Sequence, residues 1–235
     1  KIETNKYFES SGFYTFNNQN FKIIADVGKI GPDYIPGHSH ADTLSFELSI
    51  KGTRVIVNSG INTYKLSKER LDQRKTFSHS TVSINNEDSS EVWSSFRVGR
   101  RAYPFDFKEE IKKNRVTFSC SHDGFMRLKG KPFHNRKWIC EKNMITVIDS
   151  IHGEFDSAKS RFYFHPNINV VQHENFLEIL NKKTKLCEVH FNEGLNFKLD
   201  KSNFFPSFGN SENNFFIEMD YKQDSNHKIQ FKLFW

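Results

Sequence analysis

The stretch PGHSHADTLSFELSIKGTRVIVNSG, residues 36–60, opens on two histidines one residue apart and then settles into a β-hairpin pattern. In LSFELSI (44–50) apolar residues alternate with polar ones, and TRVIVNS (53–59) is dense in β-branched residues, both signatures of strands. Lys51-Gly52 between them has the length of a two-residue hairpin turn. The same signature recurs at 21–27, 80–85, 115–121, 144–151, 161–171, 176–180, 185–191, 215–221 and 228–235. Residues 66–75 are charged and read as a short helix or an ordered loop, and no long amphipathic helix is evident. Many short strands without a strand–helix rhythm predict an all-β fold, a large antiparallel β-sandwich. With no internal repeat and no low-complexity linker, residues 1–235 are expected to form one continuous domain.

Composition supports this reading and limits function. A chain of 235 residues with 25 Phe and 15% aromatic content has the means to bury a large core. Its longest apolar runs fall far short of the ~20 residues that cross a bilayer, so no membrane span is expected. The opening KIETNKYFESSG has no signal-peptide core. A net charge of +6 and a pI near 9.1 suit an acidic partner: a polyanionic sugar, a nucleic acid or a membrane face. Arg97, Arg100 and Arg101, then Lys129, Lys131, Arg136 and Lys137, form the basic clusters. No RNP, KH or zinc-finger pattern accompanies them, so no nucleic-acid partner is expected. Cys120, Cys140 and Cys187 lack CxxC or Cys/His zinc spacing and read as buried thiols rather than a disulfide scaffold.

The histidines ask for more than a hairpin needs. His38 and His40 leave the same face of an extended chain and can present two imidazoles to one ion or substrate. A cupin metal site is excluded, because the window where it needs a Glu holds Leu44 and Ser45. A third histidine, His79, lies in RKTFSHSTVSIN just before another strand. With a Lys51-Gly52 turn, Asn58 falls opposite Ser45, about 17 Å from His40 at strand rise. A bend near Ala41-Asp42, or a different pairing, is needed to bring the groups together.

Several separated motifs carry a resemblance. GHSHADTLSFEL, then G-x-x-x-x-V-N-S-G-x-x-x-Y (52–64), FSHSTVSIN (77–85), SEVWSSFRVGRRA (90–102), FESSGFYTF (8–16) and RFYFHP (161–166) together resemble the C-terminal β-domain of the heparinase II/III-like family of polysaccharide lyases. Members of that family join an N-terminal α/α-toroid to a C-terminal antiparallel sandwich, and this chain corresponds to the second part, the toroid being absent from it. The resemblance implies cleavage of an acidic, uronate-containing polysaccharide, such as a glycosaminoglycan or alginate, by β-elimination. A base removes the C5 proton, the carboxylate is neutralised, and the C4 oxygen leaves with a proton. It further implies that His38 is the catalytic acid/base, and that His40, His79 and an Asp hold a metal, commonly zinc, that braces the site.

Two positions depart from the family pattern. The metal-binding Asp is Asn58 here, and the family's HNT is His79-Ser80-Thr81. An amide oxygen brings no charge and is a poorer zinc ligand than a carboxylate, so a weakened or absent metal site is expected. The family's catalytic tyrosine comes from the toroid, so an isolated chain is expected to be inactive without that partner domain. Tyr64 and Arg74 are the candidates for contacting a sugar and its carboxylate, with packing as their other reading. Asp42 either orients a histidine or caps the turn. His165 reads as structural, and Trp93 with Phe96 as a sugar platform or as core. The alternative to a lyase is a noncatalytic polysaccharide-binding or scaffold module that keeps the fold. By analogy with such lyases, a periplasmic or secreted location is expected.

Overall fold

In a computed structural model, residues 4–223 and 226–234 are described. β1 (Thr4–Phe8), β2 (Phe13–Asn17) and β3 (Phe21–Asp26) lead into the histidine loop, which ends at the hairpin of β4 (Phe46–Ile50) and β5 (Thr53–Val57). A short helix α1 (Lys68–Arg74) precedes β6 (Val82–Ile84) and a small ribbon of β7 (Val92–Trp93) and β8 (Arg97–Val98). β9 (Pro104–Lys112), β10 (Arg115–His122), β11 (Phe133–Glu141) and β12 (Met144–His152) run as a meander. The chain continues through β13 (Ala158–Phe164), β14 (Ile168–Gln172), β15 (Phe176–Asn181), β16 (Thr184–Phe191), β17 (Phe197–Ser207), β18 (Asn210–Tyr221) and β19 (Asn226–Lys232).

Two antiparallel sheets result. The first has the order β1-β2-β3-β4-β5-β13-β18-β17, with β6 also on β13; the second is β14-β15-β16-β19-β12-β11-β10-β9. This is the expected β-sandwich. Alternation explains the layering: in β3, Phe21, Ile23 and Ala25 are buried while Lys22 is exposed. Residues of both sheets share one apolar core, where Trp138 stacks on Phe118 at 4.8 Å and meets the edge of Phe46 at 6.2 Å. Each such side chain contributes roughly 1.5–3 kcal/mol on burial. The run 161–171 is two strands rather than one. It breaks at Pro166, which has no N–H to give a ladder, and Ile168 N–H closes a turn on the His165 carbonyl. Trp235, in the last expected strand, lies outside the described residues.

Lys51 and Gly52 turn the β4–β5 hairpin with φ of 47° and 80°, both positive, as a type I′ turn requires. The more consequential feature is the edge of β13. Its C-terminal end pairs with β5 through Tyr163 and Phe164, and its N-terminal end with β6 through Ala158, Lys159 and Ser160. Asn58 leaves this seam at the end of β5, and His79-Ser80-Thr81 enters it ahead of β6.

The core also contains charge. Arg136, read from sequence as part of a basic surface cluster, is wholly buried on β11. Its Nε and Nη2 donate to the two oxygens of Asp149 at 2.6 and 2.7 Å, and Nη1 donates to the carbonyls of Leu44 and Ser80 at 2.8 and 2.6 Å. Ser160 Oγ and His134 Nε2 complete the carboxylate's partners. Despite its burial, Asp149 is held far below the usual carboxylate range by Arg136 and His134. The other clusters are also partly neutralised: Arg100 pairs with Glu91, and Arg101 with Asp33. All three cysteines are buried and none is in a disulfide.

Candidate active site

The histidine loop is pinned from several sides. Pro36–His38 forms a 3-10 turn, and Gly31 packs so closely that a Cβ there would lie 2.0 Å from Ser39 Oγ, at a φ of 61°. The bend expected near Ala41-Asp42 is present: Ser45 N–H donates to the Asp42 carbonyl, and Leu44 adopts a φ of 64°. The hairpin register is as expected only next to the turn, where Ile50 and Ser49 face Thr53 and Arg54; a bulge then sets Leu48 opposite Ile56, one residue off the expected register, and Asn58 still reaches Ser45, its Nδ2 donating to Ser45 Oγ at 3.1 Å. Ala41 N–H donates to the carbonyl of Arg74 at 2.8 Å, which ties the loop to the end of α1. Ser67 caps that helix by accepting the Arg70 N–H. Arg70 and Arg74, one helical turn apart, share a face and both turn inward.

The groups form layers from solvent inward. His38 is exposed and stands edge-on to Tyr64 at 5.1 Å and to Phe96 at 5.6 Å, with Phe208 packed on Tyr64 at 4.6 Å. Beneath the rings lies the Arg70 guanidinium, 5.1 Å from the Tyr64 ring and 5.8 Å from Phe96. Its Nη1 is 3.1 Å from His40 Nε2, and His40 Nδ1 is 3.2 Å from Nε2 of the buried His79. Burial pushes the His40 pKa down to about 2, helped by the charges of His79, Arg70 and Arg74, and that of His79 down to about 3. Both rings are therefore neutral at pH 7. Arginine only donates, so His40 accepts at Nε2, carries its proton on Nδ1 and gives it to His79 Nε2.

Beside this stack a cavity of about 930 Å³ opens, lined among others by His38, His40, Asp26, Asp42, Lys29 and Tyr7. Its size falls within the ~300–1,000 Å³ of small-molecule sites. Burial raises the Asp42 carboxyl to about 7, and Asp26 is raised by burial and by the nearby Asp42. Among the described residues Asp42 makes no side-chain hydrogen bond to an imidazole, so the histidine-orienting reading finds no contact here.

The remaining expectations separate. His38 and Tyr64 meet at the surface, as candidates for one site should. Arg74 is a correction: it is wholly buried, and its Nε, Nη1 and Nη2 donate to the carbonyls of Ser39, Ser94 and Arg97 at 3.0, 3.2 and 3.1 Å. It fastens the histidine loop to the β7–β8 ribbon instead of offering its charge to a substrate. Trp93 is 55% exposed and so is not core, and the Arg97 guanidinium lies 5.8 Å over its ring. His165 is structural, bonded through its backbone N–H to Val55 and accepting at Nδ1 from Asn167. Arg70 was missed by sequence reading. Its signal was the Ser67 cap followed by two arginines at helical spacing, which a uniformly charged segment hides.

His40, His79 and Asn58 were the expected metal ligands. The 3.2 Å between the imidazole nitrogens suits a hydrogen bond, and equally the roughly 3.3 Å edge of a zinc tetrahedron. The groups around them decide the matter. Asn58 is already committed, its Oδ1 accepting from Ser80 N–H at 3.0 Å and its Nδ2 donating to Ser45. A metal on His40 Nδ1 would put an N–H on Nε2, facing the N–H groups of Arg70. Among the described residues no three His, Cys, Asp or Glu side chains gather to hold an ion. This donor set does not fit zinc.

A large antiparallel sandwich with a histidine loop lodged at a sheet seam describes the architecture. The chain belongs to the heparinase II/III-like family: the model of that family's C-terminal region matches residues 3–232. Among solved structures it resembles the heparan sulfate lyase HepC from Pedobacter heparinus, with a TM-score of 0.76 at 16% identity over 97% of this chain and 36% of that one. It also resembles the BT4657 gene product, a heparinase III with methylated lysines, with a TM-score of 0.76 at 15% identity over 99% of this chain and 36% of that one. A third structure, that of a heparinase III, gives 0.72 at 15% identity over 99% of this chain and 37% of that one. At these identities the likeness shows the fold, and the chain spans little more than a third of each enzyme. No curated protein sequence matches it significantly.

Proposed function

We propose that this chain is the β-sandwich part of a lyase that cleaves a uronate-containing polysaccharide by β-elimination, with His38 as an acid/base and Tyr64 beside the sugar. The observation that carries the reading is the position of His38. It is the exposed imidazole of the loop, set between Tyr64 and Phe96 at the edge of the cavity, while His40 and His79 are withdrawn beneath it. Abstraction of a weakly acidic C5 proton needs a base that can reach substrate, and an imidazole is suited to that work near neutral pH. The structural neighbours are named as lyases of heparan sulfate, which favours a glycosaminoglycan over alginate as the first substrate to try. The net charge of +6 suits such a polyanion.

The chemistry is assigned to the intact protein, in which a toroid domain would supply the remaining groups. The test is to incubate that protein with heparan sulfate, chondroitin sulfate, hyaluronan and alginate, and to follow the ultraviolet absorbance of the unsaturated uronate that elimination creates. Product from at least one polymer is expected. Binding of these polymers without any unsaturated product would instead support a noncatalytic module.

A further inference from the structure

Arg70 is the least explained charge in the molecule. It is fully buried, yet among the described residues no carboxylate pairs with it, and its Nε and Nη2 have no hydrogen-bond partner. One polar contact is made by its side chain, from Nη1 to His40 Nε2, and the faces of Tyr64 and Phe96 meet the rest of the charge. A buried cation without a counter-ion is costly, so its position calls for a reason. The reason lies in what it touches. A lone pair on His40 Nε2 is needed to receive Arg70, and that need fixes the His40 proton on the side of His79.

We propose that Arg70 occupies the place of a metal ion in this site, as a permanent cation built into the chain that braces His40 and His79 and bars an ion from bridging them. Hydrogen bonding, charge and the missing third donor all point this way. Arg70 selects the His40 tautomer that donates to His79, and so uses both nitrogens of His40 and the facing nitrogen of His79. Its charge, one imidazole away, repels a divalent cation in a poorly solvated site. Asn58, which would complete the donor set, is turned to Ser80 and Ser45 and brings no negative charge to offset either. The brace has the same outcome as a metal centre, two histidines held in one orientation under the exposed His38, but contains nothing that can be chelated or exchanged. The proposal concerns the site's construction and stands whether or not the intact protein cleaves a polysaccharide.

The test is the zinc content of the intact protein by elemental mass spectrometry, after dialysis against excess zinc and then against buffer. Content far below one equivalent is expected, with a melting temperature that neither zinc nor a chelator changes. The second arm compares Asn58→Asp with the double variant Arg70→Gln/Asn58→Asp in a zinc titration, with circular dichroism as the check on folding. Removing the blocking partner of a ligand histidine should tighten zinc binding roughly 10- to 100-fold, the range of outer-shell effects on metal affinity. One equivalent of zinc in the wild type, lost in His79→Ala, would overturn the proposal. So would a folded double variant that binds zinc no better than Asn58→Asp. Should Arg70→Gln fail to fold, the wild-type zinc content decides alone.

Discussion

Substitution of Asp149 by Asn tests whether the buried ion pair behind the site holds the sandwich together. The replacement keeps the shape of the side chain but removes the charge that meets Arg136, and it turns one acceptor into an NH2 facing donors. Asp149 accepts from Arg136 Nε and Nη2, His134 Nε2 and Ser160 Oγ, and both charges are out of solvent. Breaking one side of a buried pair costs about 3–5 kcal/mol, because the other charge is stranded. For a domain of about 150–250 residues each kcal/mol lowers Tm by ~2–4 °C, so a value near 4 kcal/mol lowers it by roughly 8–16 °C. Calorimetry of the intact protein, following the sandwich transition, measures this. Arg136→Met should cost as much or more, since it also strands the carbonyls of Leu44 and Ser80. The double variant Arg136→Met/Asp149→Asn should be less damaging than the sum of the two single variants, by at least ~2 kcal/mol. A drop under about 3 °C for each single variant, or strict additivity in the double, would refute the reasoning.

Acid should unfold the sandwich well above the carboxylate range. Burial lowers His227 to about 4 and also lowers His122 and His134, whereas the unfolded chain takes up each proton near 6.5. Each therefore costs nothing above pH 6.5 and up to about 1.4 kcal/mol per pH unit below it, with His40 and His79 adding to the loss and the raised carboxyls of Asp26 and Asp42, which take up protons first in the folded state, offsetting part of it. Asp149, depressed in the folded state, adds its loss only below about pH 4. Denaturant midpoints flat from pH 7 to 4.5 would contradict this. Arg74→Lys should lower stability and turnover together, since a single ammonium nitrogen cannot reproduce the planar fork whose three nitrogens reach three separate carbonyls; a higher KM with unchanged stability would return Arg74 to the substrate. Gly31→Ala should cost about 1–3 kcal/mol through its positive φ and its clash with Ser39, read as a lower Tm; an unchanged Tm would count against the close packing of the histidine loop.

What the sequence disclosed follows from where its polarity agrees with burial. β3, β4 and β10 alternate plainly and β12 is dense in β-branched residues, so all four were legible. β9 (PFDFKEEIK) is a largely exposed edge strand without a clear apolar face, and β1 and β17 are edges too. β11 was hidden for the opposite reason. In FHNRKWICE the inward positions are His134, Arg136, Trp138 and Cys140, so a buried charge breaks the apolar period and reads as surface. The histidine pair was legible by spacing, and His79 by its place before a strand. Their meeting depends on a turn with Leu44 at positive φ, for which a leucine gives no signal. The inward turn of Arg70 and Arg74 was equally silent, because two arginines on a short charged helix ordinarily face water.

The role of His38 is decided by turnover of the intact protein carrying His38→Ala, on whichever polysaccharide the wild type cleaves. Unsaturated product is expected to fall to background while the melting temperature and sugar binding remain near wild type, because His38 is exposed and bears little of the packing. Turnover equal to wild type would contradict that role.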